Sequence, residues 1–235
     1  MVQHKHQEIS DTEIAQLRAI AKSRSQIYWF LSAFFLHAPT AAELNDLKVQ
    51  FAARLRNDAD EAEPILAQLA GTIDRATDLD QLAHDLSIEY TRLFGGLKNN
   101  SGLPPPFESV HRESRLIGET TRAVVDAYRD AGFGDIDSGA GPQDHIGVEL
   151  KFLALLCYEE SQAWSHNDIA AAGTACARQI DFLEQHALAW IPGYCDDLSQ
   201  KSEQDYYRLA GRLTQHALGH DREILRAVQK QYGLH

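Results

Sequence analysis

The chain has 235 residues, 44% of them hydrophobic and 24% charged, a composition that supports a substantial core and excludes wholesale disorder. Its formal net charge of −12 argues against a phosphate backbone as partner, because nucleic-acid binding draws on a clustered excess of Lys and Arg. No low-complexity spacer divides it, so the expectation is one domain over 1–235, with residues 1–9 frayed.

Helix-start signals recur along the chain. Ser10 to Glu13, Thr40 to Glu43 and Thr77 to Asp80 each place a hydroxyl three residues before a carboxylate, the spacing of a capping box. Behind the first, Ile14, Leu17, Ala21, Tyr28, Leu31 and Phe35 fall near one stripe until Pro39 stops it. Behind the third, Leu79, Leu82, Leu86, Tyr90, Leu93 and Phe94 follow steps of three and four up to Gly95 and Gly96.

A long loop is then expected from Gly95 to Ser109. Pro104, Pro105, Pro106 and Phe107 are too apolar for a spacer and fix an extended backbone at low entropic cost, so they read as a preformed wall for a ligand. Helix resumes from Val110 to Ala131, and a glycine-rich second loop runs from Ala131 to Gln143. Asp144 is expected to cap the next helix, so apolar around its circumference that it belongs in the centre of the core. Asn167 opens another helix, ending near Trp190 to Pro192, and Ser202 to Tyr232 supplies one or two more. No segment alternates with period two. The expected architecture is all-α, a single-domain helical bundle with two long functional loops.

Cys157, Cys176 and Cys195 form no CxxC pair and are expected to be reduced, mostly buried thiols of a cytoplasmic protein. The N-terminal residues lack an apolar core for a signal peptide. The longest apolar run, Ile27 to Leu36, is well short of the about twenty residues of a membrane span. A cytoplasmic location and no membrane span are therefore expected.

Three residue patterns bear on chemistry. Gly95 to Gly102 holds the glycine, lysine and serine of a phosphate loop in the wrong order. His220 and Asp221 form the dipeptide of a helical metal phosphohydrolase, with His216 one turn earlier, so a metal-dependent hydrolase using His216, His220 and Asp221 is the sharpest enzyme reading. No further aspartate follows Asp221, and surface histidines are the plainer reading. Asp144, His145 and Glu149 form a compact acid, base and carboxylate cluster beside a loop, His145 and Glu149 on one helix face. Two readings stay open: Asp144 caps its helix while Glu149 pairs with a neighbour, or the carboxylates hold a cationic group through charge-assisted hydrogen bonds.

Three ordered blocks carry a resemblance. Glu89 to Gly96 (EYTRLFGG), Pro104 to Val110 (PPPFESV) and Gly141 to Leu150 (GPQDHIGVEL) resemble the TorD/DmsD/NarJ family of cytoplasmic chaperones, and the helix pattern extends the likeness over most of the chain. The resemblance implies an all-helical protein that binds the twin-arginine signal peptide of a molybdopterin-containing oxidoreductase precursor, assists cofactor insertion and delays export. It implies no catalytic residue, metal or cofactor in the chain itself, and leaves monomer and domain-swapped dimer open. Family binding positions fall on Tyr90, Leu93, Phe94, Pro106, Phe107, Pro142, Asp144 and His145. Some members carry tryptophan where this chain has Tyr90 and Phe107. A twin-arginine leader has a basic end followed by an apolar stretch. Its receptor is therefore expected to set carboxylates, here Glu108, Asp144 and Glu149, beside an apolar wall of Tyr90, Leu93, Phe94, Pro106 and Phe107 that is open to solvent.

Overall fold

Two of the three expected capping boxes form. In the computed structural model, which describes residues 9–54, 63–95 and 102–233 and the backbone alone for 51–54 and 63, Ser10 Oγ accepts the Glu13 N–H at 3.3 Å. The Glu13 carboxylate accepts the Ser10 N–H at 2.9 Å, which starts α1 (Asp11–Leu36). Thr40 and Glu43 repeat the exchange at 3.2 and 2.8 Å and start α2 (Ala41–Arg54). After α3 (Glu63–Asp74), the third box gives way to a stronger cap. Asp78, not Thr77, begins α4 (Leu79–Phe94), its one carboxylate oxygen accepting the N–H groups of both Asp80 and Gln81.

The helix expected from Val110 to Ala131 is two helices. α5 (Glu108–Glu113) ends on Ser114 in the left-handed region, φ 57°, and α6 (Glu119–Asp130) starts after Gly118. The Glu113 carboxylate turns back to accept the Glu119 and Thr120 N–H groups, so it caps α6 from the end of α5. A Cβ at Gly118 would lie 2.1 Å from that carboxylate, so a larger residue there would have to displace the Glu113 cap.

α7 (Ile146–Ser165) runs through the core as its composition implies, with Val148, Leu150, Phe152, Leu153, Leu156 and Trp164 all buried. Each such side chain contributes about 1.5–3 kcal/mol on leaving water. α1 packs along α7, and the two backbones approach closely at Gly147, where a Cβ would lie 2.6 Å from Leu36 Cγ. α8 (Ile169–Phe182) continues through a π turn at Leu183–Ala187 into α9 (Leu188–Lys201), and α10 (Asp205–Tyr232) packs against α9, α3 and α1.

The stop expected near Pro192 does not occur. Pro192 lies inside α9 and forfeits a helical hydrogen bond, but Trp190, Ile191, Tyr194, Cys195 and Leu198 are buried around it and tertiary packing outweighs the local loss. Cys157, Cys176 and Cys195 are buried and unbridged. The fold is all-α, and among the described residues no helix is long and apolar enough to cross a membrane. Residues 1–8 of the expected frayed end, and 96–101 of the first expected loop, lie outside the described residues.

Candidate functional site

The structure joins two of the three sequence blocks directly. Phe107 and His145 form an isolated antiparallel bridge. The Glu108 N–H donates to the Asp144 carbonyl and the Ile146 N–H to the Pro106 carbonyl, both at 2.9 Å. Above the bridge the Phe107 and His145 rings meet edge to face, centroids 5.1 Å apart. Segments almost forty residues apart in sequence thus form one ledge. Pro104, Pro105, Phe107 and Pro142 are half-buried and Pro106 is buried.

The third block meets the start of this segment through one backbone hydrogen bond. Leu93 is fully buried, its carbonyl accepting the Leu103 N–H at 3.0 Å, which ties α4 to the start of the proline run. Tyr90 and Phe94 are partly buried, their rings 4.7 Å apart, and the Tyr90 hydroxyl donates to the Phe35 carbonyl at 2.9 Å. Burial pushes the Tyr90 phenol up to about 12. Tyr90 and Phe94 also pack on Tyr207, ring centroids 6.3 and 5.9 Å away, so these side chains join α4 to α1 and α10.

The expected solvent-facing carboxylates are not on the surface. Glu108, Asp144 and Glu149 are each 0% exposed. The physical reason is that each is engaged inside. Asp144 does not cap its own helix; its Oδ2 accepts the Ser109 N–H at 2.9 Å and so caps α5, while His145 begins α7, its Nδ1 accepting the Gly147 N–H at 3.1 Å. Burial lowers the His145 imidazole to about 4, so the ring is neutral at physiological pH, as an acceptor facing the positive end of a helix must be. Glu108 accepts from Arg112 Nη1 and lies 3.0 Å from His186 Nδ1, which the π turn presents. Glu149 Oε2 accepts the Trp190 indole N–H at 3.2 Å. The carboxylates thereby tie α5, α7, the π turn and α9 into one unit. Sequence reasoning missed His186 and Trp190 because their partners lie 78 and 41 residues away.

Burial, with the Glu108 and Asp144 carboxylates close by, raises the Glu149 carboxyl well above its ordinary value. The folded chain therefore retains a proton that the unfolded chain releases once pH rises through the ordinary carboxyl range, about 4.3. Above that pH, and up to the raised folded value, the proton imbalance lowers stability by up to about 1.4 kcal/mol per pH unit. Glu149→Gln, whose amide oxygen still accepts from Trp190, is expected to gain on the parent protein in urea midpoint between pH 5 and pH 8. A constant difference between the two would show that Glu149 is ionised in the fold.

The metal-site residues do not converge. His216 and His220 stack on each other, centroids 5.9 Å apart and planes 9° from parallel, whereas Asp221 turns into the core. There Asp221 takes Arg24 Nε and, at 2.6 Å, the Tyr28 hydroxyl, while Arg24 also reaches Glu160 at 2.7 Å and the Gln179 side-chain oxygen. Among the described residues no group of three or more His, Cys, Asp or Glu side chains is placed to hold a metal. The expectation of a hydrolase centre at His216, His220 and Asp221 is corrected: Asp221 is one of two acids, with Glu160, that hold Arg24 in a buried ionic network.

The sequence model of the nitrate reductase delta subunit family matches residues 52–196, more than half of the chain and the whole of both loops. The chain belongs to this family. Its TorD-like character appears in full-length comparisons. The chaperone protein TorD of Vibrio cholerae serotype O1 (strain ATCC 39541 / Classical Ogawa 395 / O395) is 25% identical over 214 residues, covering 89% of this chain and 95% of that protein. The chaperone protein TorD of Aliivibrio salmonicida (strain LFI1238) is 23% identical over 200 residues, covering 82% and 89%. That of Vibrio parahaemolyticus serotype O3:K6 (strain RIMD 2210633) is 22% identical over 204 residues, covering 84% and 92%. TorD-like proteins are chaperones in redox-enzyme maturation, not catalysts, which agrees with a site built from an apolar ledge and inward-facing acids.

Proposed function

We propose that this chain is a cytoplasmic chaperone that binds the twin-arginine signal peptide of a molybdopterin-containing oxidoreductase precursor, assisting cofactor insertion and delaying export. The observation that carries the reading is the ledge itself, a proline-stiffened apolar strip with Phe107 half-buried at its edge and no core stripe to account for it. Membership of a family whose relatives are named chaperone protein TorD supports the maturation role.

Phe107 and Pro142, with Tyr90 of α4, present the contact surface in this reading. Leu93, Phe94 and Pro106 contribute apolar surface, His145 packs its ring on Phe107, and the buried Glu108, Asp144 and Glu149 hold the shape of the ledge from inside. Truncating an aromatic anchor at a recognition surface commonly costs about 2 kcal/mol or more. Phe107→Ala is therefore expected to weaken binding of a synthetic twin-arginine leader by at least about tenfold in fluorescence anisotropy, with helicity by circular dichroism unchanged. Equal affinity in the variant and the parent would remove the ledge from leader recognition.

A further inference from the structure

A groove of about 930 Å³ opens between α1, α2 and α7, and none of residues 104–107 lines it. Its apolar surface includes Trp29, Leu47, Leu155 and Tyr158, and two of these are unusually open: Trp29 is 56% exposed and Tyr158 54%. Trp29 lies on α1 and Tyr158 on α7, the helix that runs through the core, and both rings open onto the groove.

Charge on the rim is one-sided. Asp137 is matched by Lys151 at 2.6 Å, and that ammonium lies 5.3 Å from the Trp29 ring centroid. On α2, Glu43 has only His37 as an ionic neighbour, at 3.8 Å, and Asp46 has no ionic partner among the described residues. An occupant must therefore be apolar along its length and cationic at the α2 end. A second copy of this chain, carrying −12, would bring acid to acid.

The groove also adjoins the ledge. Leu36 lines it and abuts Gly147, and the Gly147 N–H donates to His145, the bridge partner of Phe107. From there the groove follows α1 back from Leu36 to Gln26 and α7 forward from Lys151 to Tyr158, enough for about three turns, or about 15 Å, of a helical peptide.

We propose that this groove holds the apolar stretch of the leader as a helix, its basic end anchored at Glu43 and Asp46 beside the ledge. This rests on the leader-binding reading above and deepens it: the acid rim that such a receptor requires is supplied by α2, and not by the buried Glu108, Asp144 and Glu149.

The test uses the full chain and two labelled peptides, a complete twin-arginine leader and the same leader cut directly after its arginines. Trp29→Ala combined with Tyr158→Ala removes two exposed rings, and circular dichroism and the melting temperature check that the fold is kept. The expected result is at least about tenfold weaker binding of the complete leader by the double variant, with the cut peptide bound alike by variant and parent. Asp46→Asn is expected to flatten the salt dependence of binding of the complete leader. Equal binding of the complete leader by parent and double variant overturns the groove assignment while the Phe107 reading stands. No binding of either peptide by the parent overturns the leader-binding reading and the groove with it. A dimer in sedimentation that the double variant abolishes overturns the assignment in favour of a second copy.

Discussion

Asp221→Ala is expected to lower the free energy of unfolding by about 3–5 kcal/mol, seen as a lower urea midpoint with an unchanged slope. Arg24 is 5% exposed and Asp221 4%, so neither reaches enough water to replace a lost partner. Removing the carboxylate strands Arg24 Nε and the Tyr28 hydroxyl, which Asp221 accepts at 2.6 Å, and leaves the guanidinium with Glu160 and Gln179 alone. Glu160 is already engaged, accepting from Trp164 Nε1 at 3.1 Å and Gln179 Nε2 at 3.0 Å, so a shift to compensate would break those bonds. Arg24→Ala should cost a similar amount by stranding the two acids, and the double variant less than the sum, because both changes remove the same contact. His220→Ala, one position away but exposed, should stay within about 0.5 kcal/mol. A midpoint for Asp221→Ala within that same margin would mean that the network contributes little and that Asp221 is free for another role.

Arg24 also shows what the sequence conceals. It lies between Ala21 and Tyr28 on the stripe that α1 buries, so a cation on an apolar face was visible, but its partners are 136 and 197 residues away and nothing local names them. The same limit governs the candidate site. The proline run and Phe107 were legible because prolines fix backbone locally and an aromatic in a loop has no helical stripe to explain it. The pairing of that run with residues 144–146 is a non-local bridge that local pattern does not encode. Asp144 illustrates the consequence: its position before an apolar helix predicts a cap on α7, and the fold directs the carboxylate to α5 instead.

Local signals were also outweighed by packing. Pro192 reads as a stop, yet α9 continues, because the side chains flanking the proline are buried on several sides. The break between α5 and α6 was not legible, since a single glycine at 118 in a helical pattern is a weak signal and the Glu113 carboxylate that caps α6 reaches it from the end of α5 only in the fold. Conversely α7 was placed correctly, since a helix apolar on every side has only the core to occupy.

Gly147→Ala is expected to destabilise the fold by about 1–3 kcal/mol, reversing the usual order in which alanine is the better helix former by about 1 kcal/mol. The new methyl would stand 2.6 Å from Leu36 Cγ, 2.9 Å from Leu36 Cδ2 and 3.1 Å from the Ser32 carbonyl oxygen. Leu36 is half-buried beside the groove and has room to rotate, whereas the Ser32 carbonyl belongs to the backbone of α1 and moves only with the helix. Leu36→Ala removes the closer obstacle, so the double variant should recover part of the loss, with a coupling of about 0.5–3 kcal/mol in a double-mutant cycle of urea unfolding. Gly147→Val adds bulk against the fixed carbonyl and should exceed the alanine loss without rescue by Leu36→Ala. Gly147 also donates to His145, so a shift of α1 from α7 at this point carries the ledge with it, and the alanine variant should weaken leader binding along with stability. An alanine variant as stable as the parent would show that α1 and α7 yield at this contact, and that the wall between groove and ledge is not rigid.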